Sequence, residues 1–316
     1  MSGHDQIAED AWPLIKAFRE NGSKSFEKQG LEQARLGYEQ SCALNGPRRL
    51  PMAQVSDLHA AEQVPVRHYV PESSADDGRI VLYLHGGGWV FGSLDTHDGV
   101  CRSLASNART DVIAVDYRLA PEHPYPAALE DARTVLEWLA SYSNTLGVTP
   151  SSIAVVGDSA GGGLAAVLAQ EYAGHLPVAV QVLFYPVTDL TMSTESYKRV
   201  TAGLPVVSST MEWFANQYAG EADRGDPALS PLHGEVANQI PASFVCTVGQ
   251  DPLCDEGIAY AGKLARAGSR VEHVHLPEHA HGLFTSAGAI ETGQRILDRA
   301  SRFLDEVFEA SISNRD

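Results

Sequence analysis

Ser152-Ile153-Ala154-Val155-Val156 runs directly into Gly157-Asp158-Ser159-Ala160-Gly161, and then into Leu164-Ala165-Ala166-Val167-Leu168-Ala169. The first segment is short, apolar and rich in β-branched residues, so it reads as a buried strand. The last is rich in alanine and leucine, so it reads as a helix, with its start at Ser159. A chain that passes from strand to helix this abruptly needs a turn too sharp for a Cβ, which the two flanking glycines permit. The serine is then held above the end of the sheet in a strained conformation, the arrangement of a nucleophile elbow. Ser159 is accordingly the candidate nucleophile.

Working outward, further strands are expected at Val64-Tyr69, Arg79-Leu84, Asp111-Asp116, Val178-Tyr185, Ser243-Val248 and Arg270-Leu276. Helices are expected at Leu94-Ala108, Ala127-Tyr142, Ser159-Ala173, Glu256-Ala267 and Ala289-Val307. Such alternation implies an α/β fold with a mostly parallel, doubly wound sheet. Two regions depart from it. Residues 1–50 read as helices punctuated by Gly22, Gly30 and Gly46-Pro47, and residues 189–226 carry no strand but an aromatic helical stretch with Met211, Trp213, Phe214 and Tyr218. These two are expected to cap a core formed by residues 51–188 and 227–316, with Trp12, Phe18, Met211, Trp213 and Phe214 as an aromatic lid. Ordinary surface helices packed on the core are the plainer alternative.

A serine needs a base, a group that orients the base, and donors for the oxyanion. In open α/β sheets these belong at the C-terminal ends of strands. His85-Gly86-Gly87-Gly88-Trp89 follows the strand Ile80-Leu84, and three successive glycines leave peptide N–H groups uncovered. Gly87, Gly88 and Ala160 are the expected oxyanion donors, with Gly86 shaping the loop. A phosphate loop would need G-x-G-x-x-G or G-K-[ST], and neither accompanies it. Asp251 in Gly249-Gln250-Asp251-Pro252 is the candidate acid, because Pro252 biases it towards extended backbone. Asp255 is the runner-up, better suited to capping the following helix. His281 in His279-Ala280-His281-Gly282 is the candidate base, with His279 and His275 as competitors. The cluster His273, His275, His279 and His281 has no recognised zinc spacing, so no metal is expected.

Composition narrows the partners. The 316 residues carry a net charge of −17, which disfavours a nucleic-acid backbone or an anionic membrane surface. The polar start Met1-Ser2-Gly3-His4-Asp5-Gln6 does not resemble a signal peptide, and no apolar run reaches membrane-spanning length. Cys42, Cys101, Cys246 and Cys254 show no C-x-x-C spacing, so reduced thiols and a cytoplasmic location are expected. Symmetry makes a homodimer the natural oligomer to look for.

The order Ser159, Asp251, His281, together with His85-Gly86-Gly87-Gly88-Trp89, Asp116-Tyr117-Arg118-Leu119-Ala120-Pro121-Glu122-His123-Pro124, Gly157-Asp158-Ser159-Ala160-Gly161-Gly162, Ser230-Pro231-Leu232, Asp251-Pro252-Leu253 and His281-Gly282, resembles the bacterial hormone-sensitive-lipase-like esterases of the α/β-hydrolase superfamily. The matching motifs spread over residues 80–284. The resemblance implies an α/β-hydrolase fold with a helical cap, and hydrolysis of short- to medium-chain acyl esters of small molecules without a cofactor. It also implies that Asp116–Pro124 is a buried structural loop near the site. Gly163, where relatives often carry Asn, Cys254, where Arg is common, and Leu283 depart from the family pattern. Trp89, Tyr185, Met211 and Phe214 are the expected substrate contacts. A lactone or an acetylated small molecule would suit the same chemistry, as would a peptidase with a larger cap. A non-enzymatic receptor on this fold would have lost the catalytic histidine, whereas His281 is present.

Overall fold

Side chains along strand β3 (Arg79–Leu84) alternate between two cores: Ile80, Leu82 and Leu84 enter one, while Val81 and Tyr83 enter the other. A strand buried on both faces is the mark of a sheet sandwiched between helical layers. In the computed structural model the described residues are 7–20, 22, 24–75, 78–141, 150–236 and 239–313. Around β3 they form an eight-stranded sheet with β1 (Gln54–Ala60), β2 (Val64–Val70), β4 (Asp111–Val115), β5 (Ser152–Asp158), β6 (Val178–Phe184), β7 (Ala242–Gln250) and β8 (Val271–Ala280). The spatial order is β1-β2-β4-β3-β5-β6-β7-β8, parallel from β4 through β8 and antiparallel where β2 meets β1 and β4.

The helices are α1 (Trp12–Glu20), α2 (Leu31–Asn45), α3 (Asp98–Ala108), α4 (Ala127–Ser141), α5 (Ala160–Glu171), α6 (Glu195–Arg199), α7 (Ser208–Tyr218), α8 (Cys254–Arg266) and α9 (Glu291–Ser313). α3 and α9 cover one face through Leu104, Leu297, Phe303 and Phe308, while α4, α5 and α8 cover the other through Leu136, Leu168 and Leu264. A short 3-10 turn, Phe26–Lys28, lies between α1 and α2.

The structure corrects several boundaries. β1 has no counterpart among the expected strands, because an edge strand of sequence Gln-Val-Ser-Asp-Leu-His-Ala buries only Ala60 fully and shows no apolar alternation. Its pairing is electrostatic in part: Asp57 sits opposite Arg67, and the guanidinium donates to its carboxylate at 2.6 Å. α3 starts at Asp98 rather than Leu94, since Ser93 and Thr96 first close a turn in which each side-chain oxygen accepts the other's backbone N–H. α5 starts at Ala160, one residue after the serine. β7 and β8 both extend past their expected ends, with consequences for the site. The expected helical end at Tyr142 falls outside the described residues.

The contact between α5 and the end of β3 leaves no room for a side chain at Gly161, whose Cβ would be driven into the Leu84 carbonyl oxygen. Gly161→Ala should therefore lower stability by about 2–3 kcal/mol through overpacking against backbone. A thermal melt checks this, and a melting temperature equal to wild type would contradict the close approach.

Candidate active site

β5 ends at Asp158, and Ser159 follows with φ 56° and ψ −119°, a left-handed conformation that L-residues rarely adopt. Backbone bonds hold it there: Ser159 N donates to Phe184 O at 2.9 Å, and Ser159 O accepts from both Gly163 N and Val187 N at 3.0 Å. The elbow is thus tied to its own helix and to the strand beside it. A Cβ at Gly163 would stand 2.6 Å from the Val187 carbonyl oxygen, which accounts for glycine at this departure from the family pattern.

Asp251 and His281 are brought together by strand register. Gln250 pairs with Ala280 across an irregularity in the β7–β8 ladder between Val248 and Gln250, so the next residue of each strand is Asp251 on one and His281 on the other. Gly249 makes the irregularity possible, because a Cβ there would collide with the Pro277 backbone. His281 Nδ1 lies 2.7 Å from Asp251 Oδ2, and its Nε2 lies 2.9 Å from Ser159 Oγ. Asp251 is fully buried, and its Oδ1 accepts the Leu253 N–H at 3.0 Å, which fixes the carboxylate plane. The acceptor role of Asp251 makes Nδ1 the protonated nitrogen and leaves Nε2 to accept from the serine.

The competing residues have other partners. His279 bonds Asp10, while His273 and His275 both approach Thr247 Oγ1 at 2.9 Å. Asp255 lies in the first turn of α8 and does not cap that helix, whose N-cap is Leu253. Its carboxylate instead accepts the Ser196 N–H at 2.8 Å, at the start of α6. Among the described residues no three His, Cys, Asp or Glu side chains are grouped to hold a metal ion, and no helix is long and apolar enough to cross a membrane.

The glycine loop closes on itself, with Gly87 O accepting from Val90 N and Phe91 N at 3.1 and 3.0 Å. Gly87 and Gly88 take φ values of 121° and 61°, and both line the cavity that contains Ser159 and His281. Among the described residues, no protein acceptor takes the N–H of Gly87, Gly88 or Ala160. Phe214 lies against Gly88 so closely that a Cβ there would enter its ring.

This cavity is small, about 100 Å³, and Phe26, Tyr38, Cys42, Phe91, Tyr185 and Phe214 are among its walls. Two further cavities share lining residues with it: one of about 480 Å³ shares Phe26, Ser41 and Pro205, and one of about 170 Å³ shares His281, Gly282 and Ser286 among others. Of the expected substrate contacts, Tyr185 and Phe214 line the cavity. Trp89 and Met211 do not. Trp89 stacks on Tyr218 with ring centroids 4.3 Å apart, and Met211 is core, because each lies on the side of its segment that faces the hydrophobic interior. Phe18 lines the two outer cavities, while Trp12 packs beneath Arg19 and Trp213 against Phe91 and Phe214.

Sequence reasoning assigned the N-terminal helices to the cap but did not single out Tyr38, Ser41 and Cys42, which α2 supplies to the cavity wall. Arg35 fastens that helix: its guanidinium donates twice to Glu122 at 2.7 Å, and also to Val90 O and Ala120 O. Glu122 belongs to the segment Asp116–Pro124, which is largely exposed rather than buried; Tyr117 and Ala120 are buried, and Leu119 packs partly against the core. Its charged side chains stay at the surface because they are ion-paired there, Arg118 with Asp131 as well as Glu122 with Arg35.

The model of the alpha/beta hydrolase fold family matches residues 81–285. The chain belongs to that family. An ethyl acetate hydrolase of Pseudomonas putida is 40% identical over 290 residues, spanning 88% of this chain and 91% of the relative. Carboxylesterase NlhH of Mycobacterium tuberculosis is 36% identical over 302 residues, 90% of this chain and 94% of the relative. A solved esterase of Pyrobaculum calidifontis superposes with a TM-score of 0.84 at 33% identity, covering 95% of this chain and 98% of that one. Within the α/β hydrolases these relatives place the chain among the hormone-sensitive-lipase-like esterases.

The 3-10 turn and α7 meet through Glu27, whose carboxylate accepts from Ser25, Ser209 and Thr210 hydroxyls at 2.7–2.8 Å. Burial alone would raise its pKa, but the hydroxyl donors outweigh it and hold it below 4.5. A depressed carboxylate contributes stability above its unfolded pKa and loses it as pH falls through the folded one. Glu27→Ala should cost about 1–2 kcal/mol at pH 7, and the gap to wild type should shrink as pH falls below about 4. Paired melts at the two pH values decide it; a pH-independent gap would contradict the assignment.

Proposed function

We propose that this α/β hydrolase is a serine carboxylesterase that hydrolyses short- to medium-chain acyl esters of small molecules through an acyl-enzyme. The observation that carries this reading is the continuous hydrogen-bond chain Asp251–His281–Ser159 opening into a small cavity with free peptide donors. Ser159 Oγ attacks the acyl carbonyl while His281 Nε2 takes its proton. Asp251 holds the imidazole tautomer and stabilises the imidazolium that forms. The oxyanion settles on the N–H groups of Gly87, Gly88 and Ala160, with the positive end of α5 behind them. His281 then returns the proton to the leaving alcohol, and later activates the water that releases the acid. No cofactor takes part in these steps.

Cavity size supports the chain-length range. About 100 Å³ walled by aromatic rings suits a short acyl group, whereas the adjoining space of about 480 Å³ suits a larger and more variable alcohol. A lactone or an acetylated small molecule falls within the same description. The N-terminal helices and residues 189–226 act as the cap, joined by Glu27 and by Arg19, which donates to Gly203 O. The four cysteines, all free and buried, favour a reducing compartment such as the cytoplasm.

Hydrolysis of a p-nitrophenyl ester series from acetate to palmitate should peak at short chains. Ser159→Ala should remove nearly all activity in a folded protein, and a turnover rate close to wild type would sink the assignment. Asp251→Asn should lower kcat by about 10⁴, whereas Asp255→Asn should mainly lower the melting temperature. Phe214→Ala should move the optimum to longer acyl chains by opening the wall against Gly88. An unchanged chain-length profile would place the acyl group elsewhere.

A further inference from the structure

Asp158, the residue before Ser159, is 2% exposed and forms part of the wall of the same cavity. It takes no part in the Asp251–His281–Ser159 chain. Its Oδ1 accepts the Gly86 N–H at 2.9 Å and the Tyr83 hydroxyl at 2.8 Å. Gly86 opens the loop that carries Gly87 and Gly88, so one carboxylate bridges the elbow and the oxyanion loop. The fit is tight, because a Cβ on Gly86 would collide with the same carboxylate.

A carboxylate in this place carries a difficulty. Charge-assisted acceptance of the Gly86 N–H is stronger than a neutral bond would be. Yet an unpaired negative charge beside Ser159 opposes the negative charge that develops on the substrate oxygen.

His97 resolves it. Its Nε2 lies 3.2 Å from Asp158 Oδ1 and 3.4 Å from Oδ2, with the ring 1% exposed. Its Nδ1 faces Thr96 Oγ1 at 2.8 Å, and that hydroxyl already gives its own hydrogen to Ser93 O. With the hydroxyl hydrogen directed to Ser93 O, both ring nitrogens are placed to donate, as those of an imidazolium would. The stacked neighbour His85 completes the pattern in the neutral form: Nδ1 donates to Gly86 O at 2.9 Å, and Nε2 has no partner among the described residues. Burial, with the His97 charge adding to it, pushes His85 down to about 3. Burial by itself would raise Asp158, but the His97 charge and the His97 and Tyr83 hydrogen bonds hold it below its ordinary value.

We propose that Asp158 and His97 are positioning residues for ester hydrolysis: the carboxylate straps the oxyanion loop to the nucleophile elbow, and the imidazolium cancels the charge that would otherwise oppose the oxyanion. The proposal rests on Ser159 being the nucleophile.

The test measures kcat and KM for p-nitrophenyl butyrate in wild type, His97→Gln, Asp158→Asn, the double variant and Tyr83→Phe, with Ser159→Ala as control. It also measures the inhibition constant of a trifluoromethyl ketone, which forms a tetrahedral oxyanion adduct on the serine. His97→Gln should lower kcat by about 10- to 100-fold with KM within about twofold, and ketone binding should weaken by the same factor. Adding Asp158→Asn should restore part of that loss, because no uncompensated charge remains. Tyr83→Phe, which removes one donor and only a hydroxyl, should lower kcat about threefold or more at unchanged KM. A folded His97→Gln enzyme with wild-type kcat, or losses that multiply in the double variant, would overturn the proposal. If the charge variants fail to fold, an unchanged kcat in Tyr83→Phe overturns it and the expected fall upholds it. Full activity in Ser159→Ala would instead overturn the nucleophile itself.

Discussion

Ser159 sits at a backbone conformation that costs on the order of 1–3 kcal/mol for a residue with a side chain, and the rest of the molecule is arranged to hold it there. The strain persists because three independent backbone bonds, from β6, α5 and the segment after β6, converge on this one residue. Relaxing the serine would break all three and pull α5 away from the end of β3. The strain is therefore maintained by the same sheet–helix contacts that form the core. A side chain on such a turn projects beyond the end of the sheet, towards the cavity that His281 also lines.

The remaining partners reach Ser159 through strand register. The irregularity at Gly249 is a one-residue event, yet it decides that Asp251 and His281 leave the sheet side by side. Both parts of the site thus rest on places where backbone approaches backbone too closely for a Cβ. The acidic surface plays no direct part. What matters electrostatically is local: a buried carboxylate behind the imidazole, and a second one, Asp158, beneath the glycine loop with His97 beside it.

Much of this was legible in the sequence, for identifiable reasons. The parallel strands are buried on both faces and read as apolar runs, so β3 through β6 were found nearly residue for residue. Ser159, Asp251 and His281 stood out because each follows such a run. The failures are equally physical. β1 is an edge strand held by Asp57 and Arg67, and edge pairing leaves no apolar period to detect. The last residues of β8 include Pro277 and Glu278, which interrupt any strand pattern, so the strand was expected to end at Leu276 and His279 stood as a competitor for the base. Trp89 and Met211 were expected in the pocket by residue type alone, and residue type does not tell which side of a segment faces the core. Arg35, Tyr38 and Cys42 come from a helix more than a hundred residues before the serine; it was expected in the cap, but nothing local says which of its residues face the site. His97 carries no motif. Its only sequence-level signal is the buried acid at Asp158, which needs a partner somewhere.

The most direct test of the central claim is intact-mass and peptide-level mass spectrometry of the enzyme quenched in acid during turnover of p-nitrophenyl butyrate. A single butyryl group on the peptide that contains Ser159, absent when the ester is omitted, is the predicted result. Continued turnover with the acyl group on another residue, or with no acylated enzyme even when the quench is made within the first turnover, would contradict the account.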